Sequence, residues 1–393
     1  MEGRIEPRSG PRGRGFGVSL CYNADANLVG FCLEKWESQR VHIEGIQLLE
    51  FRNYRTLRYT PSSRLNLLLG LNAQGKTNLL EGLAFLLTGR SFRTARLAEL
   101  PRWGETTAAV SGEVCRHEGV RSLRRGIRQL EDGTWQATGE ACSWARVIVF
   151  GWQDLAILNG GPAARRNFID GVAGRLYASH LATLGRYRQI VERRNHLLRQ
   201  RPSGGALASR LAPWDEQFAT VGMELIDRRR RAVAVLQTEL ARLFSLLAGE
   251  RQKVEIRYRT ALGEATEPAA LRQLLERSGA EEVRRGQTLV GPHRDDLAIE
   301  LDGIDARVFG SRGQQRLLAL AVRLAEVLPV TEAVGSAPVL LLDDALSELD
   351  ARVRENLLRE LAQAEQVFLT TPESITVPGA TRWEVKEGGI AAA

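Results

Sequence analysis

The chain has 393 residues, which is enough for two domains of ordinary size. Hydrophobic residues make up 44% of it and charged residues 26%, which is typical of a folded globular protein and not of a disordered one. No stretch approaches 18 uncharged apolar residues, so we expect no membrane span and no membrane partner. The four cysteines are far apart and show no CxxC spacing, which excludes a disulfide framework or a zinc ribbon and favours a reducing, cytoplasmic location.

The charge balance is moderately basic. The chain carries 54 Lys and Arg against 47 Asp and Glu, a formal net charge of +7, and only four of the basic residues are Lys. A GC-rich genome, whose codons favour Arg, accounts for such an excess. An affinity for polyphosphate also accounts for it, because guanidinium groups bind phosphate in a bidentate fork.

Residues 1–40 differ from the rest of the chain. They begin rich in Arg, Gly and Pro and show no sustained period of 2 or 3.6. Leu28–Leu33 is too short for the apolar core of a secretory signal. We expect a disordered tail, or sequence upstream of the true start. A basic arm that touches nucleic acid is the alternative.

From Val41 the predicted order is strand, turn, strand, glycine loop and helix. Val41–Phe51 alternates apolar and polar residues, which predicts a strand. Leu65–Gly70 is a short apolar run, typical of a strand buried on both faces. Asn78–Thr88 is predicted to be a helix, and Thr107–Val149 a series of short strands.

The middle of the chain is predicted to be helical. Ala178–Arg201 and Trp214–Glu250 carry apolar residues at helical spacing, and a Pro/Gly/Ser linker over Arg201–Pro213 separates them. Helices of that length predict an antiparallel arm that protrudes from the globular part. A strand at Lys253–Arg259 and a helix near Ala269–Arg285 are predicted to follow. The last hundred residues return to alternating strand and helix, so the predicted fold class is α/β.

GLNAQGKT (Gly70–Thr77) fits the P-loop pattern G-x-x-x-x-G-K-[ST], directly after an apolar strand and before a helix. Backbone N–H groups of such a loop bind phosphates, and the helix N-terminus adds a positive dipole. Lys76 is expected to reach the β- and γ-phosphates, and the Thr77 hydroxyl to ligate Mg²⁺. The predicted ATP-binding residues of this loop are Gly70, Leu71, Asn72, Ala73, Gln74, Gly75, Lys76 and Thr77.

A second carboxylate is needed to hold the metal, and the apolar strand predicted over Val339–Asp344 presents two at its end. Asp343 is predicted to hold Mg²⁺ directly or through water, and Asp344 to orient or deprotonate the attacking water. Thr77 and Asp343 are 266 residues apart. A large insertion must therefore separate the two halves of one site.

SRGQQR (Ser311–Arg316) precedes an amphipathic helix over Leu317–Leu328. A Ser-x-Gly-Gln turn at a helix N-terminus is a second anion-binding surface, although a serine N-cap alone is common. Within one chain it would duplicate the P-loop. Across a dimer it would cover the γ-phosphate of the partner's nucleotide, so Ser311, Gly313 and Gln314 are predicted to bind ATP in trans.

The most basic helical stretch is Arg186–Arg201. Phosphate contacts from such a stretch give binding that is independent of DNA sequence and sensitive to salt. A solvated helix face is the alternative interpretation. The candidate DNA contacts are Arg186, Arg188, Arg193, Arg194 and Arg199.

From about Val41 onward the chain resembles the RecF family of bacterial recombinational DNA repair, which belongs to the ABC-type ATPases alongside the heads of SMC proteins. Roughly nine-tenths of the chain takes part. The matching stretches are FRNY (Phe51–Tyr54), NAQGKTNLLE (Asn72–Glu81), TGRSFR (Thr88–Arg93), GPHRDDL (Gly291–Leu297), SRGQQRLLAL (Ser311–Leu320) and LLLDDALSELD (Leu340–Asp350).

The resemblance implies an ABC-type P-loop ATPase head, formed by residues 41–160 and 286–393, with a helical arm lobe inserted over residues 161–285. It implies ATP and Mg²⁺ as cofactors and an ATP-dependent homodimer. It also implies binding to duplex DNA and to gapped or single-strand/double-strand junction DNA, and cooperation with RecO and RecR in loading RecA.

The chain departs from the ATPase pattern in places. Gln153 stands where ABC-type ATPases have a glutamine that senses Mg²⁺ and water, so it is a candidate metal ligand, with an ordinary loop residue as the alternative. Thr370 and Thr371 replace the switch histidine of transporters, and Asp344 is shorter than the usual Glu. These differences predict slow hydrolysis, stimulated by DNA. His293 is expected to be a structural hydrogen-bonding residue.

Two rival functions remain. A transporter ATPase subunit is disfavoured by the helical arm, the signature variant and the missing histidine. An SMC-like structural tether is disfavoured because the arm is too short for a long coiled coil.

Overall fold

The structure, a computed structural model, describes residues 41–116, 119–140, 142, 144–200, 206–249, 252–362, 364–373 and 375–393. The expectations for residues 1–40 lie outside this part of the chain.

The strands in chain order are β1 His42–Phe51, β2 Tyr54–Tyr59, β3 Leu65–Leu69, β4 Thr107–Arg116, β5 Gly119–Gln129, β6 Trp135–Thr138, β7 Val147–Phe150, β8 Val254–Arg259, β9 Asp296–Leu301, β10 Ile304–Asp305, β11 Val339–Leu342, β12 Val367–Thr371, β13 Thr381–Lys386 and β14 Gly389–Ala392. The helices are α1 Lys76–Thr88, α2 Ala156–Asn159, α3 Pro162–Leu176, α4 His180–Gln200, α5 Ala206–Ala248, α6 Pro268–Arg285, α7 Ala306–Phe309, α8 Arg312–Leu324, α9 Val327–Val334 and α10 Ala351–Leu361, with 3₁₀ turns at Leu97–Glu99 and Trp152–Leu155.

These strands form three sheets. An antiparallel sheet has the order β2-β1-β4-β5-β6, a small one has β10-β9-β8, and the third has β14-β13-β3-β12-β11-β7. In the third sheet β13, β3, β12, β11 and β7 are parallel. The carboxyl ends of parallel strands meet at one edge of a sheet, which is where α/β proteins place their ligands. The segments that follow β3, β7, β11 and β12 therefore converge there.

The three central strands of this sheet are buried at every position, as their apolar runs predict. The structure confirms, to within about two residues, the strand before the P-loop and the helix after it. It also confirms the strand that precedes the paired Asp residues and the last helix of the arm. Thr107–Val149 differs from the prediction, since β4 and β5 are long strands of 10 and 11 residues in the antiparallel sheet.

The prediction of a linker as far as Pro213 is wrong. Helix α5 begins at Ala206, runs for 43 residues and contains Pro213. Proline removes one backbone donor and frees the carbonyl four residues earlier. Here both Pro213 and Ser209 are exposed, so water reaches the freed carbonyl. The strong helix formers Ala206–Ala208 extend the helix in front of it.

The arm helices do not project freely along their whole length. The N-terminal half of α5 packs with α4 and α6 in a separate cluster that includes Tyr187, Phe218 and Leu271. The C-terminal half contributes Leu236 and Phe244 to the main core, together with residues of the parallel sheet. The arm is thus continuous with the core at its base, and the division into two lobes stays a prediction.

Candidate nucleotide site

The P-loop lies between β3 and α1, and its two glycines are required by geometry. Gly70 has φ +150°, and a Cβ there would lie 2.3 Å from the carbonyl oxygen of Val385. Gly75 has φ +116°, and a Cβ there would lie 2.8 Å from the hydroxyl of Tyr54. That hydroxyl donates a 3.0 Å hydrogen bond to the Gly75 carbonyl. The segment FRNY (Phe51–Tyr54), which joins β1 to β2, therefore contacts and supports the loop.

Lys76 is buried at the start of α1. Its ammonium donates to the carbonyls of Gly70 at 2.5 Å and Leu71 at 2.8 Å, inside the turn that the loop makes. Burial lowers the pKa of Lys76, while the nearby Asp343 and Asp344 carboxylates raise it. The positive charge thus lies where a P-loop binds phosphate.

The two halves of the site meet at Asp343. The Thr77 hydroxyl lies 2.9 and 2.8 Å from the two oxygens of the Asp343 carboxylate, to which it donates. The Thr370 hydroxyl donates to the same carboxylate at 2.8 Å. A carboxylate with two hydroxyls is a set of oxygen donors of the kind that Mg²⁺ prefers. The residues present therefore fit the metal that the P-loop implies.

Asp344 has a left-handed backbone, with φ +52°. Its N–H donates to the Thr370 hydroxyl at 2.9 Å, and its carbonyl accepts from Arg316. The Oδ1 atom is buried and has no hydrogen-bond partner among the described residues. Burial raises the pKa of Asp344, and Ser347 and Arg316 oppose that rise. A buried carboxylate oxygen without a partner, next to Asp343, is positioned to accept a hydrogen bond from a ligand or a water.

Gln153 lies at the same edge of the sheet. Phe150, the last residue of β7, is in register with Leu342, and its carbonyl accepts from the Asp343 N–H at 2.8 Å. Gln153 follows in the 3₁₀ turn, half-buried, with its side chain against Gly151. The fold brings it near Asp343, but its role as a metal ligand stays a prediction.

Sequence reasoning missed the ion pair that fixes this turn. Asp154 accepts from the Gly151 N–H at 2.9 Å and from the Arg323 guanidinium at 2.8 Å. Arg323 also binds Glu326, and its guanidinium stacks over Phe168, 4.9 Å from the ring centre. Arg323 belongs to α8, the helix of the SRGQQR motif. The Gln153 turn and that helix are therefore held as one unit by residues 169 positions apart.

The SRGQQR turn caps α8. The Ser311 hydroxyl accepts from the Gln314 N–H at 3.3 Å, and the Gln314 side chain accepts from the Ser311 N–H at 2.9 Å. Ser311 and Gly313 are exposed. In the described part of the chain no hydrogen bond joins Ser311 or Gln314 to the P-loop. The first turn of α8 thus faces solvent.

One of the five candidate DNA contacts is wrong. Arg194 is only 2% exposed and binds Asp215 at 2.6 Å, Thr288 at 2.7 Å and Glu282 at 3.2 Å. A guanidinium so enclosed does not reach a phosphate. The other four, Arg186, Arg188, Arg193 and Arg199, are exposed on α4. Seven residues separate Arg186 from Arg193, which places these two on one face of the helix.

The GPHRDDL segment (Gly291–Leu297) has a structural role. The Tyr187 hydroxyl lies 2.8 Å from Nδ1 of His293, and Nε2 lies 3.1 Å from the Thr288 carbonyl. Burial lowers the pKa of His293 to about 4. The ring is therefore neutral at pH 7, with its Nε2–H donating to the carbonyl and its Nδ1 accepting from the tyrosine. Asp296 binds Arg165 on α3 through two hydrogen bonds. The motif ties the arm to the core, in agreement with the structural role expected of His293.

The comparisons with known proteins bear first on the fold. No family model matches the chain. The fold is similar to an Smc head domain from Pyrococcus furiosus, with a TM-score of 0.52 at 16% identity, over 90% of this chain and 96% of that one. That likeness concerns the fold alone. The described helices include none long and apolar enough to cross a membrane. The fold and the site together define an ABC-type ATPase head.

The particular family follows from closer relatives. The chain is 37% identical over 361 residues to the DNA replication and repair protein RecF of Desulforudis audaxviator, covering 89% of this chain and 99% of the relative. It is 35% identical over 343 residues to that of Heliobacterium modesticaldum, covering 84% and 92%. A solved structure of the recombination mediator protein RecF with ATP gives a TM-score of 0.80 at 29% identity, over 90% and 98%. The chain belongs to the RecF family. These relatives do not support a transporter subunit or a tether.

Proposed function

We propose that the chain is an ATP-driven, DNA-binding switch of recombinational repair, which dimerises on ATP and releases its partner when ATP is hydrolysed. The observation that carries the proposal is the meeting of Thr77 and Asp343, which joins the P-loop to the paired-Asp strand. Mg²⁺, when bound there by Thr77 and Asp343, would neutralise charge on the phosphates. Lys76 and the loop N–H groups hold the nucleotide. Asp344 would orient the attacking water through its unpartnered oxygen.

Dimerisation is supported by apolar side chains exposed around both halves of the site. Leu71 of the P-loop is 74% exposed, Trp152 beside Gln153 is 73%, and Phe309 just before Ser311 is 73%. Each of them lies in or next to a segment of the proposed ATP site, and a dimer that joined these segments would remove all three from water. In a symmetric dimer the Ser311 turn of each protomer would meet the P-loop of the other, and Phe309 would be buried with it.

The test is sedimentation of the chain with and without ATP and Mg²⁺. Lys76→Met and Ser311→Arg should each abolish the ATP-induced dimer, because one removes the charge that holds the phosphates and the other places bulk at the signature turn. Their mixture should restore dimers, each with one intact site. Ser63→Arg, at an exposed position before β3, makes the same change of residue at the end of that strand opposite the P-loop, so it is a matched control that should dimerise normally. Dimers that form equally without nucleotide would refute the proposal.

DNA binding is proposed to use the exposed arginines of α4. They offer phosphate contacts without base readout, which suits a protein that recognises gapped or junction DNA by its shape. The family resemblance extends the proposal to RecR and RecO, with which the DNA-bound dimer would promote RecA loading. Co-sedimentation with RecR should require ATP and should fail for Lys76→Met. If RecR bound that variant as strongly as it binds the parental chain, RecR binding would not depend on ATP, and this part of the proposal would be wrong.

A further inference from the structure

Three side chains with different metal-ligating atoms meet on the antiparallel sheet, far along β1 from the turn that supports the P-loop. His42 and Cys115 are directly opposite each other on β1 and β4. Glu44 lies beside them, with its carboxylate 3.8 Å from the His42 ring. The donor atoms, one each of nitrogen, oxygen and sulfur, all lie within 4.8 Å of one another.

A β-bulge sets this arrangement. Ile43 pairs with Val114 and Gly45 with Glu113, so Glu44 is an extra residue with no partner across the ladder. The bulge reverses the alternation of the strand: Ile43 and Ile46 both enter the core, while Glu44 stays half-buried on the other side. Bulges of this kind redirect a side chain and are common at functional sites.

The backbone under the cluster is fixed from both sides. Strand β4 pairs with one edge of it. On the other edge the fully buried Gln366 accepts from the Ile43 N–H at 2.8 Å and donates to the Ile43 carbonyl at 3.0 Å. Ligands carried by such strands are better positioned than ligands on loops.

We propose that His42, Glu44 and Cys115 form a binding site for Zn²⁺. Imidazole nitrogen, carboxylate oxygen and thiolate sulfur are the three donor types that zinc takes from proteins. Metal–ligand bonds of about 2.0–2.3 Å place tetrahedral donors roughly 3.3–3.8 Å apart, so side-chain rotations of about 1 Å close the site. Binding forms the zinc–sulfur bond and releases the Cys115 proton to solvent, without any oxidant or reductant.

The fourth position opens onto a groove. This groove has a volume of about 630 Å³ and is lined by His42, Glu44 and Glu113 among others. Glu113 is two residues before Cys115, on the same side of β4, and is exposed. Its carboxylate or a water completes a four-coordinate ion. The site is independent of the nucleotide site, so its test does not depend on the proposed function.

The test is titration of the full chain with Co²⁺, whose bond to sulfur gives a charge-transfer absorption that shows a thiolate ligand. Replacing Cys21, Cys32 and Cys142 with Ser leaves Cys115 as the sole thiol. This variant should bind one equivalent of Co²⁺ with that absorption, and Zn²⁺ should displace it. Adding Cys115→Ser should abolish the absorption and weaken Zn²⁺ binding by at least about 100-fold, the upper range for loss of an outer-shell partner.

A matched control restores Cys142, the other described free cysteine, in place of Cys115, and it should give no absorption. Glu44→Gln keeps the shape of the side chain and should weaken Zn²⁺ binding by about tenfold or more while the absorption remains. That variant carries the test if Cys115→Ser does not fold. Absence of the absorption in the chain whose sole thiol is Cys115, or Zn²⁺ affinity unchanged by Glu44→Gln, would overturn the proposal.

Discussion

The Thr370 hydroxyl donates a 2.8 Å hydrogen bond to the Asp343 carboxylate and accepts a 2.9 Å hydrogen bond from the Asp344 N–H. One side chain at the end of β12 therefore positions both members of the paired-Asp motif at the end of β11. Thr370 and Thr371 are the residues predicted to replace the switch histidine of transporters. Of these two, the buried Thr370 contacts the Asp343 carboxylate and the Asp344 backbone.

Thr370→Val tests that role. Valine has the same shape but leaves the Asp344 N–H without its acceptor, which costs about 1–3 kcal/mol for a buried group. The substitution also removes the hydrogen bond that positions the Asp343 carboxylate. We therefore expect ATP turnover to fall by about tenfold, a rise of about 1.4 kcal/mol in the activation free energy, while α-helical circular dichroism is unchanged. Thr370→Ser should retain most of the activity. Thr371→Val, at the next buried position, is the control, and an equal loss there would contradict a specific role for Thr370.

The exposed arginines of α4 give a prediction about DNA binding. Arg186→Glu with Arg193→Glu should weaken binding to unrelated duplexes alike, because both side chains are exposed on one face of α4. The log–log salt slope should fall by about 0.9 for each phosphate that the variant no longer binds. The measurement is DNA affinity over a series of salt concentrations. An unchanged slope would move the DNA surface away from α4.

Arg194→Met tests whether Arg194 stabilises the fold and takes no part in DNA binding. It should leave the buried Glu282 without its cation, and breaking a buried pair costs about 3–5 kcal/mol. We expect a lower midpoint of urea unfolding and, at temperatures where the variant is folded, a parental salt slope. A stable variant with a reduced slope would restore Arg194 as a DNA contact.

Much of the nucleotide site could be predicted because its parts are local in sequence. The P-loop is eight consecutive residues, and the paired Asp residues follow a run apolar enough to identify a buried strand. Helical spacing could have identified the burial of Arg194, because it lies four residues after Ile190 and four before Leu198, on the apolar face of α4. Its partners on α5 and α6 could not be predicted, because they come from distant parts of the chain. The pairing of Asp154 with Arg323, the bridge at Thr370 and the bulge at Glu44 likewise depend on tertiary contacts that no spacing records.

His293 should make stability depend on pH. Its pKa is about 4 in the folded chain against an ordinary 6.5, because burial disfavours the charged ring. As pH falls from 6.5 to 4 the unfolded chain binds a proton that the folded chain does not. The free energy of unfolding should therefore decrease over that window, by up to about 3 kcal/mol. His293→Gln removes the titrating ring, so the difference between the two unfolding profiles isolates it. Parallel profiles would show that His293 is accessible to protons in the folded state.

If hydrolysis is as slow as the sequence predicts, ATP acts as a timer that sets how long the DNA-bound dimer lasts, and Asp344→Asn tests this proposal. Asparagine matches the size of aspartate and tolerates the left-handed backbone at this position, so the loop should keep its shape. Lys76, Thr77 and Asp343 are unchanged, and we expect ATP-dependent dimerisation and DNA binding to persist. The amide cannot accept a proton from water, and loss of such assistance lowers rates by about 10²–10⁴.

The parental chain should itself hydrolyse ATP slowly, since the aspartate side chain is one methylene shorter than the usual glutamate. Without DNA we expect it to remain below about 10 s⁻¹, a typical enzyme median. Single-turnover hydrolysis and sedimentation on the same samples separate chemistry from assembly. Hydrolysis by Asp344→Asn at the parental rate would remove Asp344 from the reaction, and fast DNA-free turnover of the parental chain would refute the timer.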